Sequence, residues 1–460
     1  MAEEIINPPV APVQEAPPPP RPDRTDKLAF AMTTLIALLV YLVTLSPNVT
    51  LEESGILSTA AAYAGVPGPP GMPVWTLYSW VFTKVLPFSN IAWRVAVGSA
   101  VAGALLCGIV AMIISFSANV IFKNVGLFQK LTASEWNKLR TVCGAAAGLV
   151  LGFNDPFWQE AVIVDSWSLS LLLFATVLWL LTRVCFDSSW RGLPGLAFLL
   201  FGMMLTSNQE LLVALPGFVC LVMFSNVNLG RDLAIFVLPP ALALNLTNSW
   251  SQISDFDSFW PWSPWSQPIP AAFAIVFLLG IVAAIVTQRL ASEWKATLLA
   301  GIGLTAGLAF FLYLPLASMS TPPVNWAYPR TLDGFLHAIS KGQYERCQPT
   351  GSLERFGQQL WGFFKNTGDE FGWLYLAIAL VGACALCAMN SRGRRWLAGL
   401  AAVFICTGPL LLAMLNPSPG LQGVGITEIY STASRIILAV LMGMGLVVLG
   451  AWAARSPVKV

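Results

Sequence analysis

Two adjacent glutamates, Glu52 and Glu53, stand directly after the first long apolar stretch, in the segment TLEESG. Only 10% of the 460 residues are charged, so paired acids at this point require an explanation. A glutamate carboxylate is ordinarily ionised at neutral pH and can take a proton from a hydroxyl group as a general base. The alternative is structural, because Thr50 and Glu53 have the spacing of a capping box and the helix dipole would favour Glu52. Local sequence leaves both interpretations open.

Charged residues also occur at the ends of later apolar stretches. Arg94 and Arg435 could form a cradle for a phosphate, since arginine makes bidentate contacts with phosphate oxygens. Contact with lipid headgroups is the alternative for each arginine alone. Asp165 falls within the predicted fourth apolar stretch, where an acid is costly and marks a functional site by default. It is either a substrate-binding residue or an ion-pair partner of Arg94 or Arg435.

A late polar segment, NWAYPRTLDGFLHAISKGQY, supplies further candidates. We expect Arg330 and Lys341 to bind a phosphate, and Asn325, Trp326 and Tyr344 to contact the rest of the same ligand. An aromatic belt at the membrane surface is the alternative for the aromatic residues. The chain has a single histidine and no cluster of metal-ligating side chains at suitable spacing, so we expect neither a metal nor a cofactor.

The composition fixes the class of protein that must position these residues. Hydrophobic residues make up 56% of the chain, and long apolar runs recur from residue 28 onwards. The pattern predicts an all-α polytopic membrane protein with about twelve transmembrane helices. The predicted spans are 28–46, 91–117, 139–153, 159–184, 192–206, 210–226, 231–248, 269–288, 296–317, 371–389, 395–415 and 432–453.

The polar segments predict a topology with long loops on one side. Residues 1–27 form a proline-rich tail, 28–454 form the transmembrane domain, and 455–460 form a second tail. Most of the 25 lysines and arginines fall on one side, which places both termini in the cytoplasm by the positive-inside rule. The long outer loops are then 47–90, with two interfacial helices, 249–268 and 318–370. A net charge of only +2 argues against a nucleic-acid partner.

Four segments carry a resemblance to a known family. The loop around SPNVTLEESGILSTAAAYAGVPGPPGMP and the later blocks FWQEAVIVDSWSLSLLL, LTSNQELLVALPG and YLPLASMSTPPVNWAYPRTLDGFLHAISKGQY resemble the DUF2723 membrane family. That family includes transmembrane protein O-mannosyltransferases and belongs to the GT-C glycosyltransferases. The match runs in order over most of the chain.

The resemblance implies a GT-C-like fold and a glycosyltransferase. Such an enzyme moves a sugar, often mannose, from a polyprenyl- or dolichyl-phosphate donor to a hydroxyl of a protein or glycan acceptor, on the periplasmic or lumenal face. Glu53 stands where the family motif has its acid, so the resemblance assigns it the general base, with Glu52 beside it. It also favours a bacterial inner membrane.

Several polar residues typical of the family are replaced in this chain. Gly68 and Gln209 stand where the family has histidine, Met72 replaces a tyrosine, and Tyr328 replaces an aspartate. These replacements leave open a non-catalytic scaffold related to the family. A flippase or transporter for a lipid-linked substrate also stays open, because twelve spans with two short helices fit that class.

Overall fold

The computed structural model describes residues 20–51, 53–187, 191–242, 268–340, 349–418, 425 and 428–454. Within these ranges the structure is helical, and the only β-type pairing is an isolated bridge. Residues 1–19, most of the predicted loop 249–268 and the tail 455–460 lie outside them. The helices are α1 Arg24–Thr44, α2 Ser54–Tyr63, α3 Pro73–Val85, α4 Ile91–Phe122, α5 Ala133–Gly152, α6 Asp155–Val162, α7 Trp167–Phe186, α8 Leu193–Leu205, α9 Ala214–Ser225, α10 Val227–Phe236, α11 Pro268–Thr287, α12 Trp294–Leu308, α13 Tyr313–Met319, α14 Leu332–Ile339, α15 Leu353–Phe371, α16 Trp373–Met389, α17 Ser391–Ile405, α18 Leu411–Leu415 and α19 Thr432–Ala453.

Many of these helices have the length and composition of membrane spans. In the described ranges, seven helical stretches pass this criterion, and α15 with α16 would make an eighth, although a 104° bend separates the two helices. The seven are Arg24–Thr44, Ile91–Phe122, Trp167–Phe186, Pro270–Thr287, Trp294–Met319, Ser391–Leu415 and Thr432–Ala453. α8 and the segment Gln209–Ser225 are apolar but shorter. The prediction of an all-α polytopic membrane protein is confirmed, whereas the number twelve stays a prediction.

One end of the helix bundle carries those candidate residues that lie in the described ranges, and we call it the loop face. It contains the end of α1, where the Tyr41 hydroxyl donates to the carbonyl of Gly152 at the end of α5, over 2.6 Å. The backbone N–H of Ser46 then donates to the carbonyl of Val162 at the end of α6, over 3.0 Å. These bonds fix the end of α1 and the start of the loop 47–90 against α5 and α6.

The opposite face is held by a buried ionic network. Arg140 of α5 is 1% exposed and donates to Asp26 of α1 at 2.8 Å, and it also pairs with Asp23. The hydroxyl of Ser115 in α4 donates to the same Asp26 carboxylate at 2.6 Å. Three helices are thereby joined at the end where α1 begins.

The core is built around α4. In the most apolar 18 residues of this helix 83% of the residues are buried, whereas the corresponding share in α11 is 17%. Close approach of helices depends on small residues, as is usual in membranes. A Cβ at Gly148 in α5 would lie 2.6 Å from the carbonyl oxygen of Cys107 in α4, and one at Gly445 in α19 would lie 2.0 Å from that of Ile378 in α16. Only glycine allows these backbones to approach so closely.

The predicted fourth span, 159–184, is wrong as a continuous helix. α6 ends at Val162, and α7 begins only at Trp167. Between them the Asp165 carboxylate accepts the backbone N–H of Trp167 at 2.8 Å, so the acid stands in a turn rather than inside a span. The predicted third span is longer than expected, because Thr132 and Glu135 form a capping box that begins α5 earlier.

Candidate active site

Glu53 occupies the N-cap position of α2, but its side chain makes no cap hydrogen bond. The predicted capping box with Thr50 is wrong, since the Glu53 side chain makes no cap bond and the Thr50 hydroxyl is buried without a partner. Instead the Ser54 hydroxyl donates to the Thr50 carbonyl at 2.7 Å and accepts the Thr50 N–H at 2.9 Å. The exposed carboxylate of Glu53 is therefore not used by the helix. Glu52 lies outside the described residues.

The end of α2 is joined to the late polar segment by backbone hydrogen bonds. Val66 donates to the carbonyl of Val324 at 2.9 Å and accepts from the N–H of Trp326 at 3.0 Å, forming an isolated parallel bridge. A Cβ at Gly65 would lie 2.4 Å from the Val324 oxygen, so glycine is required for this approach. The Tyr313 hydroxyl adds a bond to the Ala64 carbonyl at 2.5 Å. The end of α2 remote from Glu53 and the segment 324–326 thus form one hydrogen-bonded unit.

Two predicted substrate-binding residues lie in this unit. The amide nitrogen of Asn325 donates weakly to the Ser318 carbonyl at 3.4 Å, while its Oδ1 is buried without a partner. The Ser318 hydroxyl is likewise buried and unpartnered. The half-buried Trp326 stacks on His337 with ring centroids 5.3 Å apart and planes at 17°. Tertiary structure thus brings Asn325 and Trp326 to the first loop.

Arg330 is exposed and lies over the ring of Tyr328, with 6.0 Å from its guanidinium carbon to the ring centroid. Within the described ranges it makes no hydrogen bond or ion pair. It therefore keeps its donors available for an anion. Lys341 and Tyr344 lie outside the described residues.

Arg94, by contrast, is occupied by the backbone. Its guanidinium donates to the carbonyls of Phe88 at 3.0 Å, Ser89 at 2.9 Å and Thr83 at 3.2 Å. These contacts tie the end of α3 to the turn before α4. The geometry gives Arg94 a structural task and leaves few donors for a phosphate.

Asp165 is held beside α3 through its backbone. Its carbonyl accepts from the indole of Trp75 at 2.9 Å and from the Ser99 hydroxyl at 3.4 Å. The alternative role for Asp165, an ion pair with Arg94 or Arg435, is not realised, because those arginines bond other groups. The following Trp167 packs edge-on against Tyr430, with ring centroids 5.1 Å apart, which connects this turn to the residues that precede α19.

Arg435 is 1% exposed and forms an ion pair with Glu370, at the end of α15. It also donates to the carbonyl of Glu428 at 2.5 Å. Sequence reasoning missed Glu370, although a signal was present: it lies seven residues after Phe363 and three after Thr367, on the buried face of α15. An acid on the buried face of an amphipathic helix needs a partner.

An apolar groove in the described part of the structure lies elsewhere. It has a volume of about 560 Å³ and an almost wholly apolar lining from α9, α11, α17 and the start of α15. No predicted site residue lines it. Within the described ranges there is also no group of three or more potential metal ligands, and independence from metal stays a prediction.

Comparison with known proteins supports the O-mannosyltransferase part of the resemblance noted in the sequence, whereas the DUF2723 family and the GT-C fold stay predictions. Residues 53–230, which begin at Glu53, match a family described as the N-terminal domain of the protein O-mannosyl-transferase TMEM260. The chain is similar to protein O-mannosyl-transferases. It is 22% identical over 372 residues to the tmem260 protein of Dictyostelium discoideum and 24% identical over 420 residues to that of Mus musculus.

These alignments cover 78% and 89% of this chain but only 36% and 48% of the two relatives. The chain thus spans between a third and a half of the length of the curated proteins that it matches. No solved structure matches it.

Proposed function

We propose that this chain is a membrane glycosyltransferase that transfers a sugar, mannose in the first instance, from a polyprenyl- or dolichyl-phosphate donor to a hydroxyl of a protein or glycan acceptor. The similarity to protein O-mannosyl-transferases supports the reaction class. The observation that carries the proposal is the bridge between Val66 and the segment 324–326, because it holds Asn325 and Trp326 against the same loop that carries Glu53. Glu53 stands at the other end of the ten-residue helix α2, which spans about 15 Å.

The reaction is a direct displacement at the anomeric carbon. The acceptor oxygen attacks this carbon while the bond to the phosphate oxygen breaks, and the lipid phosphate leaves with the bonding electrons. Glu53 takes the proton from the attacking hydroxyl, for which a free carboxylate is needed. Its exposed side chain without a capping bond meets that requirement.

The leaving phosphate needs a cation. Among the candidates in the described ranges, Arg330 has the most available donors, because it is exposed and makes no hydrogen bond or ion pair there. Arg94 and Arg435 already have backbone or carboxylate partners. Lys341 stays a candidate that lies beyond the described ranges. The loop face is then the periplasmic or lumenal side, in a bacterial inner membrane, with both termini cytoplasmic.

The test is transfer by the purified protein in lipid nanodiscs, with radiolabelled polyprenyl-phosphate-mannose and an acceptor peptide. We expect Glu53→Gln to lower the transfer rate by about 10²- to 10⁴-fold, the usual contribution of a general base. The control is Glu354→Gln, which makes the same change at another exposed glutamate near a helix start on the loop face. It should retain the wild-type rate.

The same assay separates the alternatives. A flippase would move the donor across the bilayer of proteoliposomes without consuming it, and a scaffold would neither move nor consume it. If Glu53→Gln transfers at the wild-type rate, Glu53 is not the base, and if the wild-type protein never consumes donor, the transferase proposal fails.

A further inference from the structure

A second group of polar side chains is buried on the loop face, where α5 and α15 end and α19 begins. It consists of Asn154, Glu370 and Arg435, whose side chains are 3%, 9% and 1% exposed. We call it the Asn154 cluster. Glu428 lies close enough for its carboxylate to interact with both members of the ion pair.

Four polar atoms of the Asn154 cluster are buried without a hydrogen-bond partner. They are Nε of Arg435, Oε2 of Glu370, and both Oδ1 and Nδ2 of Asn154. The Asn154 amide faces Glu370 but does not reach hydrogen-bond geometry with it. Buried polar atoms are nearly always hydrogen-bonded in native proteins, so four together indicate a polar partner.

The character of these atoms indicates which partner fits. Arg435 Nε and Asn154 Nδ2 are donors, while Asn154 Oδ1 and Glu370 Oε2 are acceptors. The charge of Arg435 is neutralised by Glu370, and Glu428 adds a second carboxylate. A phosphate would meet a net negative group, whereas a hydroxyl can donate to the acceptors and accept from the donors.

The Asn154 cluster also lies next to the first outer loop. Asn154 directly precedes α6, and the other end of this eight-residue helix accepts the N–H of Ser46 at Val162. A helix of that length spans about 12 Å. The cluster and the loop that carries Glu53 therefore flank α6 from its two ends.

We propose that the Asn154 cluster is a subsite for the hydroxyl groups of the transferred sugar. This inference rests on the proposed function and gives Asn154, Glu370 and Arg435 the task of distinguishing a sugar-bearing donor from the bare lipid phosphate. Arg435 then contacts the sugar rather than the phosphate.

The experiment compares two probes in nanodiscs, polyprenyl-phosphate-mannose and the same polyprenyl phosphate without sugar. The wild-type protein should bind the mannose-bearing lipid more tightly. Asn154→Leu removes both orphaned atoms at similar volume and should reduce this preference about tenfold, with little change for the bare lipid phosphate. A matched control is Asn366→Leu, a half-buried asparagine of α15 outside the cluster, which should keep the preference.

A purely structural cluster gives another pattern. In that case Asn154→Leu changes thermal stability but leaves the preference for the sugar-bearing lipid intact, which overturns the inference while the transferase proposal stands. Equal binding of the two lipids by the wild-type protein overturns it as well. If the wild-type protein neither binds nor consumes the donor, the proposed function fails first.

A second variant and a structure keep the inference testable if Asn154→Leu does not fold. Glu370→Gln keeps the side-chain size and a bond to Arg435, and should also weaken the sugar preference. A structure of the wild-type protein with donor decides the point directly: a sugar hydroxyl within about 3.2 Å of the Asn154 amide supports the inference, and water alone at the cluster overturns it.

Discussion

The three arginines assigned to the donor phosphate from sequence make different contacts. Arg94 donates to three backbone carbonyls, Arg435 is buried against Glu370, and Arg330 is exposed beside an aromatic ring. The same side chain therefore fixes a turn, pairs a buried acid, or stays available for an anion. Sequence position could not separate these tasks, because each depends on residues brought close by folding.

The contrast between Arg94 and Arg330 is testable by removing each guanidinium. Arg94→Ala should lower the free energy of unfolding by about 1–3 kcal/mol, because backbone acceptors lose their partner, and should leave the apparent KM for donor unchanged. Arg330→Ala should raise the apparent KM for donor, because its guanidinium is available for the phosphate, and should leave the thermal stability unchanged. A raised KM in Arg94→Ala at unchanged stability would assign the phosphate to Arg94 instead.

Among the elements, the contact between the end of α2 and the segment 324–326 is the one that joins two parts of the candidate site. It joins parts of the chain that are far apart in sequence, and a Cβ at Gly65 would clash with the Val324 oxygen at 2.4 Å. Gly68, in the same loop, has open space around its Cβ position. Gly65 is therefore needed for the close backbone contact, whereas Gly68 is not.

Alanine at these two positions tests the contact. Gly65→Ala should force the bridge apart and lower the transfer rate on the order of 10- to 100-fold, because displacements near 1 Å are costly in catalysis. Gly68→Ala should stay near the wild-type rate and serves as the control. Equal rates in both variants would mean that the bridge does not position the reacting groups.

Taken as a whole, the chain separates a wide loop face from an opposite face closed by the Arg140 network. The candidate residues in the described ranges all belong to the loop face or to the elements next to it. Such a distribution favours chemistry at one membrane surface and not at mid-depth, which fits a transferase better than a transporter.

The orientation of the molecule can be measured with single cysteines. Ser352→Cys lies at the start of α15 on the loop face, and Lys295→Cys lies at the start of α12 on the opposite face, both at exposed positions. In intact cells a membrane-impermeant maleimide should label the first above the wild-type background and the second only after lysis. The reverse pattern would place the loop face in the cytoplasm.

Much of the architecture follows from sequence alone. Apolar runs predicted helices close to their observed bounds, such as 432–453 for α19, because burial in hydrocarbon is decided by local composition. The loop of Glu53 and its two helices were likewise predicted, because proline and glycine mark the break between α2 and α3. The prediction of a continuous fourth span was wrong, because hydropathy alone does not reveal the turn at Asp165.

The partners of the polar residues were decided only by tertiary structure. Glu53 has the spacing of a capping residue, yet Ser54 takes over the bonds to Thr50, and Arg435 pairs with an acid 65 positions away. Hydrophobicity is a property of each residue and can be read along the chain, whereas a hydrogen bond requires two groups at a set distance and angle. Folding alone supplies that geometry.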